Sequence, residues 1–359
     1  MNNGRTLSLN TNSISDMLNS ENFKKARLDM VSGIEPSPCS RCYDEERKGI
    51  RSKRQEENDR YLQSSMPVIE SMSEDGSITK FDFNFVELRL GNICNLKCRT
   101  CNPVSSSKWK KDYKSLQQDL NFITDYSNIE EGIWFEKDSF WWELENNSEN
   151  LTRIYVNGGE PTLVEKHFGF LRRLIENGRS KDINVWYNIN LTHIPIELIT
   201  MWKSFKSVTV TASIDDLFTR NEYIRSDSNW SDTIFNLSVL NCTDWIDLSI
   251  CQTLSAYNIY YVDKFYEFFK HHRIHHNWCY DPDFLSPWHL PDSIKEEIIS
   301  NCANLPEYER NNITQMMRKE RDENKFKQFI SYNKKLDILR KTKFEEIFPE
   351  LAKVISYAE

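Results

Sequence analysis

F-D-F-N-F-V-E-L-R-L-G-N-I-C-N-L-K-C-R-T-C-N-P, residues 81–103, joins two kinds of sequence without a linker. Its first half alternates aromatic or branched apolar residues with polar ones, the period-two pattern of a strand. Its second half sets Cys94, Cys98 and Cys101 within eight residues. Thiolates at that spacing can wrap one metal cluster, and an iron-sulfur cubane is saturated by four of them. Three leave one iron with an open position, the feature that separates a catalytic metal site from a structural one. A strand that delivers functional residues just past its C-terminal end is the arrangement of α/β sites.

Downstream, strand and helix patterns alternate. Residues 153–157 (R-I-Y-V-N) run into Gly158, Gly159, Glu160 and Pro161, then into the amphipathic V-E-K-H-F-G-F-L-R-R-L-I-E-N-G with its glycine stop. Residues 183–191, 207–214 and 247–254 repeat the strand pattern, each followed by a helical one, and a last strand is expected around 276–280. With residues 80–90 this makes about six parallel strands built from right-handed crossovers. Eight close a TIM barrel, so the expectation is an α/β fold: a partial (β/α)6 TIM-like barrel over 80–290, with its site at the strand C-termini. Residues 291–359 form a C-terminal helical extension expected to pack on the barrel flank.

Residues 1–79 read as a small helical N-terminal segment. S-I-S-D-M-L-N-S-E-N-F-K-K-A-R-L-D-M-V is one expected helix, stopped by Gly33 and Pro36. Cys39 and Cys42 follow, then Y-D-E-E-R-K-G-I-R-S-K-R-Q-E-E-N-D-R, expected to be a solvated helix with ion pairs. After Pro103 a helical stretch to about Ile123 leads to the aromatic insert at 132–145, G-I-W-F-E-K-D-S-F-W-W-E-L-E, which reads as packing or a lid.

The 359 residues carry 13% aromatic and 39% hydrophobic side chains, enough for a real core. A net charge of -8 gives no electrostatic reason to bind nucleic acid. The first residues lack a signal-peptide core and no run approaches a membrane span, so a cytoplasmic protein is expected. Nine cysteines in a reducing compartment read as thiols or metal ligands.

G-N-I-C-N-L-K-C-R-T-C-N-P together with the intact G-G-E-P at the end of the next strand resembles the radical S-adenosylmethionine (SAM) enzymes. The resemblance implies a [4Fe-4S] cluster on Cys94, Cys98 and Cys101, with SAM held against Gly158, Gly159, Glu160 and Pro161. It also implies reductive cleavage of SAM to a 5′-deoxyadenosyl radical that abstracts hydrogen from a substrate. Asn190, Ser213 and Asp215 fall where the family reads the ribose hydroxyls, and Arg225 where it meets the SAM carboxylate. Capping or turn roles for Ser213 and Asp215, and a surface role for Arg225, compete with that assignment. Thr100 replaces the aromatic residue often found before the third cysteine, leaving a backbone contact to the adenine. On the residues alone, a structural zinc completed by a remote Cys or His competes with the cluster.

The N-terminal segment with Cys39 and Cys42 resembles the latter part of a SPASM or twitch module, placed ahead of the barrel as in twitch-domain radical SAM proteins of bacteria and their phages. This implies an auxiliary iron-sulfur cluster or a zinc site at Cys39 and Cys42. The family's upstream cysteines are absent, so a lost auxiliary cluster or a truncated chain is the expectation. Remote help from Cys242, Cys251, Cys279 or Cys302 is the alternative, although Cys242 and Cys251 read as buried thiols. His271, His272, His275 and His276 read as a helix end meeting dipole and solvent. The resemblance further implies a peptide, sugar or other small-molecule substrate and an electron donor such as flavodoxin or ferredoxin. Modification of a nucleotide or RNA base, and a non-catalytic zinc-stabilised interaction protein, are the alternatives.

Overall fold

The computed structural model describes residues 7–61, 71–126 and 132–356. Six strands form where the period-two pattern places them: β1 Phe85–Leu90, β2 Arg153–Gly158, β3 Asn184–Ile189, β4 Ser207–Ser213, β5 Ile246–Leu254 and β6 Arg273–Trp278. They build one sheet in the order β1-β2-β3-β4-β5-β6. β3 with β4, β4 with β5 and β5 with β6 pair in parallel. Parallel neighbours in chain order, with helices between them, make the α/β partial-barrel architecture that the alternation predicts.

Alternation along each strand gives the sheet two different faces. Val185, Tyr187 and Ile189 of β3 and Val208, Val210 and Ala212 of β4 are buried on the apolar face. The residues between them meet on the other face through polar side chains. Trp186 Nε1–H donates to Thr211 Oγ1 at 2.9 Å, Thr211 and Ser249 hydroxyls lie 3.4 Å apart, and Asn188 Nδ2 donates to the Tyr155 hydroxyl at 2.7 Å. A one-residue register slip would exchange these faces, so burial pins the register.

The chain divides into two compact units. The first comprises Met1–Glu87, Gly132–Ile154 and Lys166–Ile183. The single N-terminal helix expected from the sequence is two, Ile14–Leu18 and Glu21–Val31. Asn19 supplies the reason: its side chain donates to Ile78 O at 2.9 Å and accepts from Ile78 N at 2.8 Å, a pairing with a distant segment made at the break. The charged run likewise splits into Ser40–Arg47 and Lys53–Tyr61, with Gly49 at φ +74° between them. Its ion pairs are present, Arg41 with Glu45 at 3.0 Å and Lys53 with Glu57 at 2.6 Å. The aromatic insert is packing: Phe135, Phe140, Trp141 and Leu144 are buried, and Glu143 accepts from the Ile14 and Ser15 amides at 2.7 Å each, capping that helix.

The second unit comprises Leu88–Glu131, Tyr155–Glu165 and Asn184–Glu359. Its C-terminal helices are not a tail on a flank. Phe326, Phe329, Tyr332, Leu336, Phe344 and Phe348 are buried in the same apolar cluster as Tyr223, Leu254 and Tyr257. β6 starts at Arg273, earlier than the pattern suggests, so His275 and His276 belong to a strand and not to a helix end. His276 Nε2 lies 2.8 Å from the Tyr266 hydroxyl, and burial holds its imidazole down near about 4. Among the described residues no helix is long and apolar enough to cross a membrane.

Core membership of the C-terminal region is directly measurable. Phe329 packs its ring 5.2 Å from that of Tyr257, so Phe329→Ala is expected to lower unfolding free energy by about 3–5 kcal/mol in urea titrations. A flank appendage would change it by no more than about 0.5 kcal/mol.

Candidate cysteine-loop site

Past β1 the chain turns at Gly91, whose φ of +61° is left-handed, and enters the cysteine loop. The loop is closed by its own polar groups. Asn92 O accepts from Ser107 N at 2.7 Å, Asn92 Nδ2 donates to Pro103 O at 2.9 Å, and Ser106 Oγ donates to Leu96 O at 2.5 Å. Cys101 N donates to Cys98 O at 2.9 Å, and Trp109, fully buried, adds its indole N–H to the same carbonyl at 2.9 Å.

The G-G-E-P turn is fastened onto this loop. Gly159 N donates to Gly91 O at 3.0 Å and Glu160 N to Ile93 O at 2.7 Å. A Cβ on Gly159 would lie 2.2 Å from the Ile93 carbonyl oxygen, and one on Gly158, at φ +134°, 2.7 Å from Leu90 N. The glycines therefore permit the two motifs to touch, in addition to any ligand approach. Pro161 opens the short helical turn Pro161–Leu163 and is buried. Glu160 is buried too: its carboxylate accepts from Thr162 N and Oγ1 at 3.2 and 2.7 Å and from Asn190 N at 2.7 Å. Burial pushes its carboxyl up to about 7, against the pull of these hydrogen bonds.

Asn190, just past β3, points its Nδ2 at Asn95 Oδ1 at 2.9 Å and at Cys94 Sγ at 3.9 Å, while Oδ1 accepts from Thr192. Ser213 ends β4 opposite Cys251 of β5. Asp215 and Arg225 form a buried ion pair, Arg225 donating at 3.0 Å, with the other Asp215 oxygen taking Thr253 N at 2.9 Å. The surface role considered for Arg225 does not hold, since its side chain is only 11% exposed. Burial opposes the Arg225 charge, but Cys98 and Asp215 outweigh it, and its pKa rises. Burial pushes the Cys98 thiol up to about 12 and Cys101 to about 11, and raises Cys94, while Arg225 pulls all three the other way.

Cys94, Cys98 and Cys101 stand close enough that, beyond the effect of burial, Cys94 raises the thiol pKa of the other two, and three thiols on one loop are the donor set a three-thiolate cluster would use. Buried thiols are poor nucleophiles until a metal deprotonates them, and the adjacent cation is placed to offset the negative charge that ligation creates. Among the described residues no group of three Cys, His, Asp or Glu side chains is placed to hold one metal ion.

Arg99, between two of the cysteines, is the residue that motif reading overlooks. Its guanidinium is fully buried and donates to Tyr223 O at 3.2 Å, Asn333 Oδ1 at 2.9 Å, Asp337 Oδ1 at 2.6 Å and Thr342 Oγ1 at 2.8 Å. It also lies 3.6 Å from the Tyr223 ring centroid. The Tyr332 hydroxyl donates to Arg99 O at 2.9 Å, and Arg340 to Lys97 O at 2.9 Å. The helix Glu323–Arg340 thus holds the backbone between Cys94 and Cys101.

In the other unit, Cys39 and Cys42 are half-buried at the start of the helix Ser40–Arg47. Cys242 and Cys251, read as buried thiols, are exposed and half-buried: Cys242 caps the helix Trp230–Asn241, and Cys251 lies on the polar sheet face, 3.1 Å from Asn277 Nδ2. Cys279 and Cys302 belong to the apolar core of the second unit.

No family model and no curated protein matches the chain. Among solved structures it is similar to native anSMEcpe with bound AdoMet, at 18% identity and TM-score 0.46, over 64% of this chain and 62% of that one. SuiB of Streptococcus suis bound to S-adenosylmethionine matches at 14% identity and TM-score 0.38, over 74% and 58%. SuiB bound to precursor peptide SuiA matches at 14% and 0.35, over 87% and 64%. The chain spans about three fifths of the length of these structures.

Two outcomes test the interlock. Gly159→Ala is expected to destabilise by about 1–3 kcal/mol in urea titrations. Gly169→Ala, where a Cβ meets only the Arg173 guanidinium at 3.5 Å, should be neutral or stabilising. For Glu160, a folded-state carboxyl near 7 against 4.5 unfolded means that stability is fully present below the unfolded value and lost as pH rises through the window. The loss, on the order of 3 kcal/mol at most, should flatten in Glu160→Gln when denaturation is followed across that range.

Proposed function

We propose that this chain is a radical SAM enzyme acting on a polar organic substrate such as a peptide, sugar or other small molecule. The observation that carries the reading is the interlock: the three-cysteine loop and the G-G-E-P turn share two main-chain hydrogen bonds at the C-terminal edge of a parallel sheet. A site at that edge is where open α/β folds put their ligands.

Cys94, Cys98 and Cys101 would hold a [4Fe-4S] cluster, leaving one iron for SAM. When bound, that group supplies an electron to the sulfonium of SAM, releasing methionine and a 5′-deoxyadenosyl radical that takes a hydrogen atom from the substrate. The chain's own residues orient and shield. Arg225, fixed by Asp215, presents a cation beside the cysteines and is suited to a carboxylate. Asn190 braces the loop at Cys94. Glu160 is committed to Thr162 and Asn190, so its part is to hold the turn while the turn backbone meets SAM.

The substrate class rests on the polar sheet face. Trp186, 46% exposed, lies with its ring 4.7 Å from that of Tyr155, and Asn188 Oδ1 is a buried acceptor without a partner among the described residues. An aromatic shelf beside an unused acceptor suits a molecule with both apolar and hydrogen-bonding parts. An electron donor such as flavodoxin or ferredoxin completes the reaction.

Anaerobic reconstitution with iron and sulfide is expected to give about four irons per chain and 5′-deoxyadenosine from SAM with dithionite. About eight would assign a second cluster to the segment with Cys39 and Cys42. Cys98→Ala should abolish 5′-deoxyadenosine while leaving the circular dichroism spectrum intact. A colourless protein that retains zinc and never cleaves SAM would sink the proposal in favour of a zinc-stabilised interaction protein.

A further inference from the structure

The cysteine loop is backed by two helices whose outward faces are cationic in an otherwise acidic chain. Lys110–Asp119 and Glu323–Arg340 lie side by side, tied by Arg340 to Asp112 at 2.9 Å and by an ion pair of Lys335 with Asp119. The pairing of 112 with 340 and 119 with 335 makes the helices antiparallel. Every carboxylate on the two helices is engaged: Asp112 and Asp119 as above, Asp337 by Arg99, and Glu323 by Lys327. Lys108, Lys111, Lys114 and Lys341 are exposed and make no ion pair among the described residues. Ile338, 73% exposed, lies one turn from Lys341 on the outer side. The chain as a whole carries 54 acidic against 46 basic residues, so this local excess runs against its composition.

The same helices touch the loop directly. Trp109, next to Lys108, bonds Cys98 O, Arg340 bonds Lys97 O, and Tyr332 bonds Arg99 O. These contacts run through the buried interior between the helices and the loop, since Trp109 is fully buried.

We propose that this helix pair is the docking surface for an acidic, low-potential, one-electron carrier protein of the flavodoxin type. The inference rests on the radical SAM reading and adds the place where the electron enters. In the step, one electron leaves the reduced flavin carrier and reduces the cluster by one, and no atom is transferred. Charge complementarity selects the occupant: exposed lysines on two adjacent helices steer an acidic partner, and Ile338 near Lys341 adds a small apolar contact to bury. A nucleic acid would also be drawn by lysines, and the binding experiment separates it from the carrier.

The test uses the full reconstituted chain and a purified, net-acidic flavodoxin, with binding read by calorimetry. Affinity is expected to fall about tenfold or more between about 50 and about 300 mM salt. It should fall about tenfold or more in K108E/K111E/K114E/K341E; the matching set of lysine-to-arginine changes should retain it. Dithionite, which needs no docking, should still drive SAM cleavage in the reversed variant. Equal flavodoxin affinity in wild type and variant, or tighter binding of a short single-stranded RNA than of flavodoxin, overturns the proposal. If dithionite yields no cleavage in wild type while flavodoxin binding still maps to the lysines, the docking surface stands and the catalytic reading fails.

Discussion

A fully buried guanidinium sits inside the cysteine loop, and the second unit is arranged around satisfying it. Arg99 gives up all contact with water, which is tolerable only if its charge and its donors find partners. Asp337 supplies the charge, and Asn333, Thr342 and Tyr223 O take the remaining donors. Asp337 is itself held by Tyr223 Oη at 2.7 Å and Phe344 N at 2.8 Å. Removing one partner from such a pair costs about 3–5 kcal/mol, because the other charge is stranded. The loop's path is therefore bound to the integrity of helices more than two hundred residues away in sequence.

The same reasoning explains where the other ionisable groups stand. Asp215 neutralises Arg225 without covering it, since its second oxygen is taken by a backbone amide. Glu160 is hydrogen-bonded but faces no partnering cation as close as those of Asp215 or Asp337, so burial wins and its carboxyl titrates near neutrality. The Arg225 guanidinium, paired with Asp215, still draws all three thiols down against the effect of burial.

Much of the fold was legible because burial on one face of each strand writes a period of two into the sequence. All six strands lie within a few residues of their expected places. β1 begins at Phe85 and not at 80, since Phe81 and Phe83 stack edge to face, ring centroids 5.5 Å apart, outside the ladder. The helix breaks were not legible, because Asn19 is claimed by Ile78, a partner no local pattern reveals. For the site, Cys94, Cys98, Cys101 and the G-G-E-P turn announce themselves by spacing. Arg99 and Arg340 do not: their roles come from partners 234 to 243 positions away. Glycine at 159 was legible as a requirement, yet the neighbour that requires it, the Ile93 carbonyl, belongs to the other motif.

Such long-range support bears on how the cysteine loop keeps its shape. A loop held only by its metal would have to be ordered by metal binding, and its ligand geometry would relax with each change of charge. Here the carbonyls of Lys97, Cys98 and Arg99 are each gripped by a side chain, Arg340, Trp109 and Tyr332 respectively. Three successive peptide units between the first and third cysteines are thus fixed by the protein's own side chains. The helices that present these groups inward present lysines outward. The loop is therefore ordered by the same packing that orders the helices, and a change that loosens Glu323–Arg340 would loosen the cysteine loop with it.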